Sequence, residues 1–177
     1  MTEIIIIAAV ARNGVIGKSG RIPWSIREDF LHVKEKTLGH PCIMGVRTYE
    51  SLPDFARPLP GRQNIVLTSE RGYRAAGATV VHSFEEAVDH VRISNAKKAF
   101  IFGGAGVYRK ALPVADTLEL TKIERDYDGD VTFPAINFDN WEETAREKLE
   151  AEDRRTGEIV RLSFCTYRRK VNDPTPV

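Results

Sequence analysis

Ile4-Ile5-Ile6-Ile7-Ala8-Ala9-Val10 is a continuous apolar run. A strand with one face in water alternates apolar and polar residues. A run without alternation fits a central strand covered on both faces, as in a parallel sheet. After it comes a loop with Asn13-Gly14, Gly17 and Gly20. Ser25 and Glu28 have capping-box spacing and predict a helix to about Leu38, ended by Gly39 and Pro41. Residues 42–45 read as a short strand and 47–52 as one or two helical turns. The loop 53–61 is rich in proline. Residues 64–68 and 78–81 read as strands, separated by a turn region at 71–77. Ser83-Phe84-Glu85-Glu86 is a second capping box, opening a helix to about Ile93. Residues 99–102 form a strand that stops at Gly103-Gly104, followed by a helix over 105–112 and a strand over 117–123.

This alternation predicts an α/β fold: a mostly parallel central sheet of about eight strands flanked by about four helices. The end of the chain differs. Residues 141–152 and 158–169 have no helix between them, and Arg154-Arg155-Thr156-Gly157 can turn the chain, which predicts a C-terminal antiparallel hairpin. Residues 145–152 are helix formers, but pairing with the β-like run 159–167 overrules that propensity. Residues 1–170 are expected to form one domain and 171–177, with Asn172, Asp173 and two prolines, a flexible tail.

The 177 residues are 42% apolar and 29% charged, a globular composition. A net charge of +1 argues against the basic field that nucleic-acid binding needs. The longest apolar run, residues 4–11, falls well short of the roughly 20 residues of a membrane span. Glu3 precedes that run where a signal peptide would carry positive charge. The chain is therefore expected to be cytoplasmic, with no membrane partner. Cys42 and Cys165 sit in apolar runs and read as buried, reduced thiols. His32, His40, His82 and His90 have no ligand spacing, so no metal is expected, and there is no Gly-x-Ser-x-Gly elbow.

Four features can carry chemistry. Asp29 shares a helical stripe with Ile26, Phe30 and Val33, and an acid on a buried face is costly unless paired or neutralised. A first-turn acid favoured by the helix dipole explains it equally well. Gly103-Gly104-Ala105-Gly106 lies at the carboxyl end of a parallel strand and opens a helix, where α/β sheets bind ligands. A tight strand-to-helix turn would use the same residues. Arg62, after the rigid Pro58-Leu59-Pro60-Gly61, could clamp a carboxylate or simply be solvated. Thr48 and Thr68-Ser69 suit a phosphate, or the capping of helix and turn.

Taken in order, the blocks Ile7-Ala8-Ala9-Val10, Gly14-Val15-Ile16-Gly17, Ile22-Pro23-Trp24, Asp29, Ile43-Met44-Gly45 and Thr48-Tyr49-Glu50-Ser51 are shared with a known family. So are Arg57-Pro58-Leu59-Pro60-Gly61-Arg62, Asn64-Ile65-Val66-Leu67, Ile101-Phe102-Gly103-Gly104, Val107-Tyr108, Leu120-Thr121 and Gly129-Asp130-Val131-Thr132-Phe133-Pro134. The sequence closely resembles the dihydrofolate reductase family over roughly residues 3–169. The resemblance implies NADPH-dependent reduction of 7,8-dihydrofolate to tetrahydrofolate, with hydride reaching C6 and a proton N5. That activity belongs to one-carbon metabolism and is a target of antifolates. A monomer is expected.

The resemblance also implies residue roles. Asp29, with Thr121 beside it, would bind the pterin's N3 and 2-amino groups, and Trp24 would complete the catalytic centre. Ile7, Ala9, Trp24, Phe30, Val33, Leu52, Leu59 and Phe102 would wall the substrate pocket, and Arg62 would pair with the glutamate tail. Ala9, Ile16, Gly17, Gly45, Arg47, Thr48, Thr68, Ser69, Phe102, Gly103, Gly104, Ala105, Gly106, Val107 and Tyr108 would line the NADPH site. In the family the Gly103–Gly104 peptide is cis, and residues 11–25 correspond to a mobile loop over the nicotinamide.

Three departures stand out. Val33 occupies a usual aromatic position, and Val46 and Gly106 replace usual basic residues. Arg47 and Arg71 are left as candidates for the 2′-phosphate. The reductase domain of riboflavin synthesis shares this fold, but Asp29 after Pro23-Trp24, together with Arg62, favours folate. An intact Asp29 and pocket disfavour a nucleotide-binding module without catalysis.

Overall fold

The computed structural model describes residues 1–171. Eight strands form one sheet: β1 (Glu3–Ala11), β3 (Cys42–Gly45), β4 (Asn64–Leu67), β5 (Thr79–Val81), β6 (Lys98–Ile101), β7 (Thr117–Ile123), β9 (Trp141–Asp153) and β10 (Glu158–Arg169). Their order is β5-β4-β3-β6-β1-β7-β10-β9. The first six are mutually parallel, and β10 pairs antiparallel with both β7 and β9. Four helices flank the sheet: α1 (Arg27–Thr37), α2 (Val46–Ser51), α3 (Phe84–Ile93) and α4 (Ala105–Ala111). The expected architecture and hairpin are therefore present. Residues 145–152 lie in β9 despite their helical propensity, because each of them faces a partner on β10.

The run at β1 reads as it does because both of its faces are covered. Ile4, Ile6 and Ala8 pack with Ile43, Ile65, Ile101, Leu118 and Leu120 beneath α3 and α4. Ile5 and Ile7 pack on the opposite face with Met44, Val66, Phe100, Tyr49 and Leu59. A third cluster joins Trp24 and Ile26 to Ile123, Ala151, Val160 and Leu162, so the long hairpin is tied to the segment before α1. Cys42 and Cys165 are buried and free.

Three expectations need correction. The loop after β1 contains strand β2 (Val15–Gly17), which pairs antiparallel with β8 (Val131–Thr132). Two such short segments carry no readable period. The capping box at Ser25 does not form: the position before α1 is Ile26, with no side-chain cap. Ser25 instead donates its N–H to Asp153 Oδ1 at 3.1 Å, and Ile26 bridges Asp153 in antiparallel fashion. By contrast, Ser83 caps α3 as expected, accepting from Glu86 N–H at 3.0 Å.

The stripe on α1 is also different. Phe30 is 46% exposed, and the buried α1 residues are Asp29 and Thr37, with Val33 partly buried between them. Positions 29, 33 and 37 follow one another at four-residue spacing, so they make the inner face. Of the expected tail, Val171 is exposed and residues 172–177 lie outside the described residues. Among the described residues, no helix is long and apolar enough to cross a membrane.

Candidate active site

The carboxyl end of β6 and the start of α1 come together: the Asp29 charge acts on Tyr108, which lies against Gly103. Asp29 is 3% exposed, with the Thr121 hydroxyl beside it. Its other oxygen, Oδ1, is buried without a partner. Burial pushes the carboxyl up to about 6, against the opposing pull of the Thr121 hydrogen bond. Trp24 is 1% exposed, and its Nε1–H is likewise buried without a partner. Unpaired buried polar groups are rare in folded chains. The orphan acceptor on Asp29 therefore marks a place for a ligand that brings its own donor.

The strand pairing explains how Asp29 meets Thr121. Ala9, Thr121 and Phe164 are register partners across β1, β7 and β10, so all three face the same side, beneath α1. Ile7 lies two residues earlier on that face. Val33, Leu52 and Phe102 pack against the cluster containing Ile7 and Leu59, which gives the cleft an apolar wall.

Gly103 and Gly104 close the other side, joined by a cis peptide as the resemblance implied. Gly103 has φ +111, and a Cβ there would meet the Tyr108 hydroxyl at 3.2 Å, so no other residue fits comfortably. Tyr108 is buried and donates to Ile7 O at 2.8 Å. Its hydroxyl is pushed well above the ordinary range, first by burial and then by the Asp29 charge. Gly45 donates its N–H to Gly103 O at 2.8 Å, and a Cβ on Gly104 would lie 3.5 Å from Thr48 Oγ1. Gly45, Gly103 and Gly104, with Thr48 against Gly104, thus pack closely at the carboxyl ends of β3 and β6.

Other candidates lie farther out. Val107 is buried, and Ala105 and Gly106 open α4, with Gly106 exposed. Arg47 is exposed on α2 beside partly buried Val46. Thr68 is buried at the end of β4, where Oγ1 accepts Glu70 N–H at 3.2 Å. Its hydroxyl therefore also serves the turn that Ser69 occupies. Arg62 is half-buried: Nε donates to Pro60 O at 3.0 Å and Nη1 to Thr37 Oγ1 at 3.1 Å. Those bonds fix the fork and leave other N–H donors free. Cys42 beside it is pushed up to about 12 by burial, so it stays a thiol.

Ile16 and Gly17 lie on β2. This ribbon is fastened by Asp130, whose N–H donates to Gly17 O at 3.1 Å and whose carboxylate accepts Ser19 N–H at 3.2 Å. A Cβ at Gly129 would overlap Val15 and the Gly17 carbonyl, which explains the glycine. Tyr127 and Asp153, which hold the far end of this loop, carry no motif of their own in the sequence.

A buried acid with an unpartnered oxygen, a buried unpartnered indole N–H and a Gly-Gly turn at the carboxyl end of a parallel strand mark a small-ligand site of the α/β class. The dihydrofolate reductase family model matches residues 3–169. The chain is 42% identical over 169 residues to dihydrofolate reductase from Neisseria meningitidis serogroup B, covering 96% of this chain and 99% of that one. It is 40% identical to dihydrofolate reductase type 3 from Salmonella typhimurium, covering 90% and 97%. The solved dihydrofolate reductase from Enterococcus faecalis, complexed with NADP(H) and RAB-propyl, superimposes with a TM-score of 0.83 at 34% identity, covering 97% of both chains. The chain belongs to the dihydrofolate reductase family.

The raised Asp29 carboxyl has a consequence for stability. Between its ordinary 3.8 and about 6, the folded chain holds a proton that the unfolded chain has released, so stability falls as pH rises through that window. The resulting penalty, on the order of 3 kcal/mol at most, is complete above that range. Asp29→Asn is therefore expected to unfold at higher urea than the wild type at about pH 8, with the gain gone near pH 4. A gain of equal size at both values would rule this out.

Proposed function

We propose that the chain reduces 7,8-dihydrofolate to 5,6,7,8-tetrahydrofolate with NADPH, and that residues 1–170 act as one domain. The observation that carries this is the orphaned Asp29 Oδ1, a buried acceptor without a partner, with the Thr121 hydroxyl nearby. A dihydropterin presents N3–H and a 2-amino group side by side, which is what a carboxylate can hold with two charge-assisted bonds. The cradle of Gly45, Thr48, Gly103 and Gly104 fits a nicotinamide ring laid against backbone. NADPH supplies the hydride for C6 when bound.

The chain's own residues do the rest. Asp29 holds the ring and, with its proton affinity raised toward neutrality, favours the pterin state that accepts a proton at N5. Water carries that proton. Ile7, Leu52, Leu59 and Phe102 exclude bulk water from the ring, which strengthens the interaction at Asp29. Arg62, its fork set by Thr37 and Pro60, pairs with the glutamate tail. Arg47 and Arg71, both exposed, are the candidates for the 2′-phosphate. The substrate is small, the proposed compartment is the cytoplasm, and the proposed state is a monomer.

The direct test is loss of NADPH absorbance with dihydrofolate. Asp29→Asn is expected to lower kcat at pH 7 by about a hundredfold or more while the fold survives. An unchanged pH–rate profile would overturn its role.

Arg62→Leu is expected to weaken dihydrofolate about tenfold to a hundredfold, the contribution of one charge-assisted pair. A pterin lacking the glutamate should bind as before. Equal loss for both ligands would count against the assignment.

Arg47→Ala is expected to weaken NADPH more than NADH, because only NADPH carries the extra phosphate. Equal effects on the two would move the phosphate contact to Arg71.

A further inference from the structure

Asn64 is the one side-chain amide buried among the described residues, 1% exposed at the first position of β4. Its Oδ1 accepts the Leu59 N–H at 2.8 Å, and its Nδ2 donates to Leu59 O at 3.1 Å and to Arg62 O at 3.0 Å. A side-chain amide has two N–H donors, and both are used here. The pattern fixes which way the amide points, because a flip would set N–H against N–H and oxygen against two carbonyls. Leu59 is itself buried, so its peptide group depends on this side chain for partners. The turn from Leu59 to Arg62 is neither strand nor helix, and Asn64 does there what a neighbouring strand does elsewhere.

The guanidinium of Arg62 is held from α1. Thr37 is fully buried, and its hydroxyl donates to Val33 O at 2.8 Å. With that proton committed to the helix, the lone pairs of the oxygen are left for Arg62 Nη1–H at 3.1 Å. Arg62 Nε donates to Pro60 O at 3.0 Å, inside the turn that Asn64 holds. Gly39 N–H donates to Gly61 O at 2.9 Å, which ties the turn to the end of α1. Gly61 has φ +69, and a Cβ there would meet Leu38 at 2.7 Å, so the two segments run too close for a side chain. All the acceptors that fix Arg62 are neutral. None of the salt bridges among the described residues includes it, and burial works against its charge. A fixed cation without a counter-ion suits an anionic group on a ligand.

We propose that Asn64 and Thr37 are positioning residues for Arg62: Asn64 sets the turn that carries it, Thr37 holds one edge of its guanidinium, and together they present the remaining donors to a carboxylate on the ligand. Each acts only through Arg62 and its turn. The inference rests on the reading of Arg62 as the partner of the glutamate tail. An arginine held in this way has lost rotamer freedom before the ligand arrives, so holding it raises affinity only for ligands that carry the carboxylate.

Binding of dihydrofolate is to be compared with that of methyl-dihydropterin, which lacks the glutamate tail. Thr37→Val keeps the shape of the side chain and removes its oxygen. It is expected to weaken dihydrofolate about twofold to tenfold, the cost of ordering one rotamer-rich side chain on binding, and to leave the methylpterin as before. Thr37→Ser keeps the hydroxyl and should bind dihydrofolate like the wild type. In an Arg62→Leu background, Thr37→Val should change neither ligand, since no guanidinium is left to hold. Asn64→Asp keeps the size and the acceptor for Leu59 N–H but turns an oxygen toward two carbonyls. It is expected to reduce the preference for dihydrofolate over the methylpterin by at least as much. Equal loss for both ligands, or the same loss with Arg62 replaced, would reduce the two residues to a structural role and overturn the proposal. Thr37→Val alone decides the matter if Asn64→Asp fails to fold. A wild type without preference for the tail would refute the glutamate reading by itself. NMR of the Arg62 Nε–H stands without that reading: its exchange with water should quicken in Thr37→Val, and an unchanged rate would overturn the positioning role.

Discussion

Two-sided burial of β1 is the constraint on which the rest of the molecule depends. Ile4, Ile6 and Ala8 face one layer of helices, and Ile5 and Ile7 face the other. A strand of this kind cannot sit at an edge, and it lies between β6 and β7. Each fully buried isoleucine removes apolar surface worth about 1.5–3 kcal/mol from water. The same strand then leaves the core. By Ala9 the inward side chain has become small, and Ala9 shares its register with Thr121. The cleft opens where the large side chains stop, so the strand that organises the core also sets the floor of the site.

The parts of this fold that were legible in the sequence are those with a period or a stop signal. The unalternating run at β1, the cap at Ser83 and the glycines after β6 each reflect a local physical demand. Pairing of residues 145–152 with β10 could be read against helix propensity because the partner run was β-like. Other features had no local signature. The Ser25–Glu28 spacing is a sound capping box by local rules, but the Ser25 N–H has a better-shielded acceptor in Asp153, 128 residues away. On α1, Ile26, Asp29 and Val33 lie inward as their spacing predicts, but Phe30 is exposed and Thr37 takes the next inward position. It is polar because the helix covers a site as well as core.

The site was legible mainly through the joint order of its motifs. Asp29, Gly103 or Arg62 alone fits a bland role. Structure adds what no spacing could: the unpartnered state of Asp29 Oδ1 and Trp24 Nε1, and the fixing of the Arg62 fork by Thr37. Arg62 also shows why a loop of prolines precedes it. Pro60 supplies an acceptor at a defined place, and a guanidinium with one edge engaged has less rotamer freedom left to lose on binding.

Asp29 and Asp153 are the same residue type, buried to the same degree, and they are treated in opposite ways. Asp153 is given three donors, so its charge is stabilised and its bonds are complete. Asp29 has only the Thr121 hydroxyl beside it, and an oxygen, Oδ1, with nothing to accept. A chain selected only for stability would supply the missing donor or replace the acid, since a buried unpaired carboxylate is costly. The deficit at Asp29 is therefore the mark of a ligand that brings its own donors, and the completeness at Asp153 is the mark of scaffold. Asp153 accepts the Tyr127 hydroxyl, and Tyr127 packs edge-on against Trp24. Rigidity is supplied at the hairpin, and reactivity is kept at the cleft.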